Sequence, residues 1–143
     1  MYRAIGLLGL SLCAAMAADR PELNGKWQLD STTLAAEAKF KAETLVIHQN
    51  EESVEISEDR TGKNGKEMKD DIQCNTMGQQ CKLKNLQVSL WYNGPILVLV
   101  ETHNDVVTRT RFTPSDDGKT LHLEVTHMGP GTPKTENLTF LKQ

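Results

Sequence analysis

From Lys26 onward, polar and apolar residues alternate with a period of two, the pattern of strands that turn one face to a core. Lys26-Trp27-Gln28-Leu29 puts Trp27 and Leu29 on one face, and Val54 and Ile56 share a face in Ser53–Glu58. Thr44–Gln49 and Ile96–Val100 are more uniformly apolar, as central strands are. Leu86, Val88 and Leu90 alternate within a strand predicted over Lys82–Tyr92. Val106, Thr108, Thr110 and Phe112 fall on one face of the next, with Val107, Arg109 and Arg111 on the other. Leu121, Leu123 and Val125 alternate with His122, Glu124 and Thr126, and Asn137–Leu141 closes the chain as a last strand. Lys66–Cys74 is polar enough to read as an edge strand.

Turn chemistry separates these segments. Asn93-Gly94-Pro95, Asp116-Asp117-Gly118 and Gly129-Pro130-Gly131 supply residues that tolerate positive φ or fix it. Asp59–Gly65 is polar and glycine-rich, so it reads as a loop. Ser31-Thr32-Thr33 can cap a short helix over Leu34–Phe40, although that two-turn stretch also suits a loop. The pattern predicts an all-β fold: an up-and-down antiparallel meander of about eight strands, with a short helix after the first. Such a meander closes as a barrel or stacks as a sandwich, and closure removes the unpaired edges.

The N-terminus departs from this pattern. Arg3 is followed by an uncharged run, Ala4–Ala18, ending in Ala15-Met16-Ala17, the small-x-small pattern that signal peptidase requires. The run is shorter than the ~20 apolar residues of a membrane span. Residues 1–17 are therefore expected to be a cleaved signal peptide, with 18–143 as one domain that is secreted or periplasmic. No stable membrane span is expected after cleavage. Cys13 lies inside the signal; Leu12 stands where a lipidated cysteine needs a small neighbour.

Cleavage changes the composition. Removing 17 of 143 residues leaves 126, and losing Arg3 takes the formal charge from −3 to −4. An acidic balance offers nothing to nucleic acid. The 38% hydrophobic share is inflated by the signal, so the remaining chain is more polar than that figure suggests. Two cysteines remain, Cys74 and Cys81. An even number in an oxidising compartment predicts a disulfide, and closing so short a loop stabilises by about 2.5 kcal/mol on the chain-entropy model.

Leu23-Asn24-Gly25-Lys26-Trp27 resembles the Gly-x-Trp signature of lipocalins and related calycins. Val88–Gly94, Leu97–Thr102 and Arg111–Leu121 resemble a group of secreted lipocalin-like domains of bacteria. The resemblance implies a lipocalin-like barrel. It also implies that an Arg from a late strand packs across Trp27 and closes one end, with Arg111 the candidate and Arg109 second. A planar guanidinium stacks well on an indole.

No catalytic motif emerges. His48, His103, His122 and His127 lack an adjacent nucleophile, and His122 and His127 would face opposite sides of a strand. Glu51-Glu52 and Asp70-Asp71 are adjacent pairs whose side chains diverge. The expectation is a protein that is not an enzyme, with no metal and no cofactor. The function that follows is binding of a small apolar or amphipathic molecule inside the barrel. Trp91, Tyr92, Leu99 and Leu123 are the candidate contacts. The alternative is an exported protein-interaction or inhibitor barrel, with a filled core and a protein partner.

Overall fold

The computed structural model describes residues 20–143. The expected signal peptide, residues 1–17, and Cys13 within it lie outside the described residues. Residues 20–143 form strands β1 (Gly25–Leu29), β2 (Phe40–Gln49), β3 (Ser53–Gly62), β4 (Glu67–Asn75), β5 (Cys81–Leu83), β6 (Leu86–Asn93), β7 (Ile96–His103), β8 (Val106–Pro114), β9 (Thr120–Met128) and β10 (Lys134–Lys142). They make one antiparallel sheet in the order β4-β3-β2-β1-β10-β9-β8-β7-β6-β5. Pairing of β1 with β10, Trp27 opposite Lys142, joins the first and last of these strands and curls the meander into a nearly closed barrel.

The strand count is ten rather than about eight, and two of the predicted strands differ in extent for local reasons. The predicted strand Lys82–Tyr92 is two strands, because Lys84 takes φ 50 and the chain reverses at Lys84-Asn85. β3 runs to Gly62, through residues read as a loop, and pairs with β2 along that whole length. The expected helix over Leu34–Phe40 is absent. Asp30 caps a single 3-10 turn at Ser31–Thr33 by accepting from the Thr32 N–H at 3.1 Å, and at Leu34 the backbone is already extended, at ψ 137. Leu34 packs against the core while the residues around it are exposed, so one apolar anchor holds a loop where a helix needs a continuous apolar stripe. Among the described residues no helix is long and apolar enough to cross a membrane.

The β8–β9 turn shows how sequence sets register. The Asp117 carboxylate accepts from Ser115 Oγ at 2.6 Å and from the Lys119 N–H at 3.0 Å, and these bonds hold its carboxyl below the usual carboxylate range. Gly118 follows at φ +71 with open space where a Cβ would stand. Gly118→Ala is therefore a purely conformational perturbation, expected to cost about 1 kcal/mol. Urea unfolding checks it.

Candidate functional site

The barrel has two unlike ends. At one end residues 20–24 fold across the opening. Leu23 and Trp27 are fully buried there with Leu97, Phe112, Leu121 and Phe140. Trp27 Nε1 donates to the Leu23 carbonyl at 2.9 Å. Gln49 fastens the same segment: its Nε2 donates to the Pro21 carbonyl at 2.9 Å and to Tyr92 Oη at 3.0 Å, and its Oε1 accepts from the Leu23 N–H at 2.6 Å. Lys142 Nζ lies 5.1 Å from the centre of the Trp27 ring and donates to the Asn24 carbonyl at 3.0 Å. The floor above this end is filled by Leu45, Ile47, Val54, Ile56, Leu90 and Leu99.

At the other end the inward-facing positions turn polar. The parity that buries Val54 and Ile56 in β3 carries on to Glu58 and Arg60. Glu43 of β2 stands opposite Arg60, and Asp70 of β4 opposite Glu58. Arg60 Nε donates to Glu43 Oε1 at 3.3 Å, its second guanidinium nitrogen lies 2.8 Å from Glu58 Oε2, and its Cζ sits 5.2 Å from the centre of the Phe40 ring. By register Glu101 and Thr108 face the same interior from β7 and β8.

Burial sets the electrostatics of this layer. It raises the Glu58 carboxyl to about 7, against the pull of Arg60 and with help from Glu43, Glu101 and Asp70. Burial likewise raises Glu43 and Glu101, in both cases opposed by Arg60. Burial works to lower Arg60, but Glu58 and Glu43 outweigh it and hold the guanidinium firmly charged. The layer opens to solvent at the mouth. Glu43 and Glu58 are buried, Glu101, Val125 and Leu138 are half-buried, and Met68, Asp70 and Glu136 are exposed.

The sheet begins at β4 and ends at β5, and no ladder pairs the two. The Cys74–Cys81 disulfide spans that seam, as the cysteine count predicts, with its Cα atoms 5.7 Å apart. Two clefts mark the rims. One, about 440 Å³, is lined by Arg20, Glu51, Glu52, Thr76, Met77 and Tyr92 at the closed end. The other, about 420 Å³, lies over Lys82–Gln87 and His103.

The sequence candidates are scattered rather than gathered. Leu99 and Leu123 lie inside the barrel, 1% and 2% exposed. Tyr92 also takes an inward position, but at the closed end, with Arg20 over its ring at 5.0 Å. Trp91 falls by register on the outer row with Val98, Arg111 and Glu124. Arg111 is 3.8 Å from Glu124 on that outer face, and Lys142 takes the place over Trp27 that the resemblance implied for an Arg. Arg109, the second candidate, is exposed. The histidines stand apart: His103 Nδ1 is 3.2 Å from the Asn85 carbonyl and His127 Nδ1 is 3.2 Å from Thr108 Oγ1. Among the described residues no three His, Cys, Asp or Glu side chains gather to hold a metal.

Sequence reasoning missed the Glu43–Arg60–Glu58 group. A signal existed: Val54, Ile56, Glu58 and Arg60 keep one parity over seven residues of β3. Reading Asp59–Gly65 as a loop ended the strand before Arg60.

No family model matches the chain, and no curated protein matches it in sequence. Solved structures do. The fluorescent protein UnaG is 14% identical, with a TM-score of 0.58 over 84% of this chain and 96% of that one. Secretory abundant heat soluble protein 4 from Ramazzottius varieornatus is 16% identical, with a TM-score of 0.56 over 84% and 94%. The fatty-acid-binding protein isolated from Manduca sexta is 13% identical, with a TM-score of 0.53 over 85% and 98%. The chain therefore folds as a calycin-type β-barrel of the kind seen in fatty-acid-binding proteins, and the likeness goes no further than the fold.

Proposed function

We propose that this chain is an exported calycin-type barrel, freed of residues 1–17, that binds a small amphipathic molecule through its open mouth and is not an enzyme. The carrying observation is the division of the interior. Half-buried Val125 and Leu138 adjoin a buried apolar floor of Leu99 and Leu123, beside a charged layer built on Arg60. An apolar body placed against the first group sets a polar end against the second, which is how a mostly apolar pocket fixes orientation. The likeness to a protein named for binding fatty acid supports the reading. The filled floor limits the ligand to a short apolar segment or one that enters only partway.

A fluorescent medium-chain fatty acid tests it. Displaceable binding on the order of micromolar is expected. Val125→Trp, which narrows the mouth without entering the floor, should weaken binding about tenfold, a loss of about 1.4 kcal/mol. Absence of displaceable binding to the folded protein would refute the reading.

The filled floor and Met77, 74% exposed beside the Arg20–Tyr92 cleft, favour a second reading. In it the protein is an exported interaction or inhibitor barrel that engages a protein partner through that rim. Under this reading the fatty-acid probe fails, and a Met77→Glu variant loses a partner that the intact protein retains in pull-down from the exporting cell.

A further inference from the structure

The geometry points to the Cys74–Cys81 disulfide as a redox-operated clasp on the barrel seam, whose reduction opens a lateral path to the interior between β4 and the β5–β6 hairpin. The idea that such a path admits a ligand rests on the binding function proposed above. The opening itself does not.

The seam is unevenly held. β2, β3 and β4 are joined by long antiparallel registers, interrupted only by a shift between Phe40 and Ala42, and β6, β7, β8, β9 and β10 are joined likewise without a shift. Between β4 and β6 the contacts cluster at the closed end. Met77 forms an isolated bridge with Trp91, and the Gly78 N–H donates to the Leu90 carbonyl at 2.9 Å. β5, only three residues long, pairs with the first residues of β6, Leu86 to Val88. Toward the mouth β4 runs through Glu67–Asp71, all exposed, with no strand among the described residues paired on its outer side. The disulfide stands where the held part of the seam gives way to the free part. Cys74 is the last inward residue of β4, and Cys81 is opposite Val88 of β6.

Directly behind the clasp is apolar floor. Ile72 is 3% exposed, and Val88 and Leu90 are fully buried. With the bond in place, β4 cannot part from β5 beyond the reach of the two side chains. Without it, the free stretch of β4 extends from Glu67 to the Met77 bridge. Charged residues along Glu67–Asp71 keep that edge from recruiting another strand, so parting exposes a path rather than a template for aggregation.

The chemistry is ordinary thiol–disulfide exchange with a dithiol reductant. Cys81 is half-buried and Cys74 only 3% exposed, so the entering thiolate meets Cys81 Sγ. A mixed disulfide forms, and Cys74 leaves as a thiolate that takes up a proton. The second thiol of the reductant then closes its own disulfide and releases Cys81 as a thiol. Two electrons and two protons pass from the dithiol to the protein.

Hydrogen exchange on the whole mature protein, oxidised and after reduction with dithiothreitol, reads the opening. Amides of Ile72–Asn75 and Val88–Leu90 should exchange about tenfold faster after reduction, while those of β1, β8 and β10 keep their protection and far-ultraviolet circular dichroism is unchanged. The bound fluorescent fatty acid should leave about tenfold faster in the same step, and reoxidation should restore both rates. A Cys74→Ala/Cys81→Ser double variant should match the reduced protein without any reductant. Unchanged exchange at β4 and β6 after complete reduction overturns the clasp, and so does loss of protection spread evenly over every strand. Local opening with no probe bound in either redox state supports the clasp and refutes the ligand reading.

Discussion

Trp27→Ala is expected to destabilise the barrel by about 4 kcal/mol, the middle of the range for truncating a buried aromatic. Trp27 has no exposed surface, its indole N–H satisfies the Leu23 carbonyl, and Lys142 lies over its face. Truncation removes the largest buried side chain at the closed end, strands a buried acceptor and leaves the ammonium without its ring. Trp27→Phe keeps most of the volume and loses the hydrogen bond, so about 1.5 kcal/mol is expected. Lys142→Met removes a rim cation–π contact and a hydrogen bond to Asn24, for about 1 kcal/mol. Arg111→Ala breaks an exposed pair with Glu124 and should stay within about 0.5 kcal/mol. Urea unfolding of the four variants checks the ranking. A cost for Arg111→Ala that matches or exceeds that of Lys142→Met would show that the late-strand cation on Trp27 had been assigned to the wrong residue.

That ranking shows where the sequence was legible. Wherever alternation coincided with apolarity, as at Trp27/Leu29, Val54/Ile56 and Leu121/Leu123, the inward face followed directly, because a one-residue slip would expose every one of those side chains. Cys74 and Cys81 were legible by their even number, given the expectation of an oxidising compartment. Arg111 was misplaced because its role came by analogy. Its own parity, opposite to Phe112, already put it outside. The split at Lys84 was hidden because a lysine at positive φ carries none of the glycine or asparagine chemistry that marks turns. The helix after β1 failed for a related reason: Ala-rich propensity is weak unless a face can be buried, and there only Leu34 finds the core.

The charged layer was the largest omission, and its consequence is physical. Alternation alone cannot tell a solvent-facing Glu from one turned inward. The distinction rests on closure of the sheet, which is a property of all ten strands together. Once the barrel closes, the same parity that hides Ile56 forces Glu58 into low-dielectric surroundings. Arg60 must follow it to offset the cost.

Glu58 should therefore make the protein less stable as pH rises. Its folded carboxyl titrates at about 7 against an ordinary value of 4.5. Between those two values the unfolded chain has released the proton and the folded chain still holds it, so the folded state binds more protons and its stability falls with increasing pH. The contribution is fully present below the unfolded value and is lost by the time the pH passes the folded one. A separation of that size corresponds to about 3 kcal/mol. Glu43 and Glu101, raised by the same burial, add in the same direction. Urea midpoints should drop between pH 5 and pH 8. Glu58→Gln, neutral at every pH and still able to accept from Arg60, should flatten most of that slope and be more stable than the parent at pH 8 by about 2 kcal/mol. A parent whose stability is level or rising over that interval, or a variant that keeps the parent's slope, would mean that Glu58 is ionised in the folded chain and that the mouth layer is wetter than its burial implies.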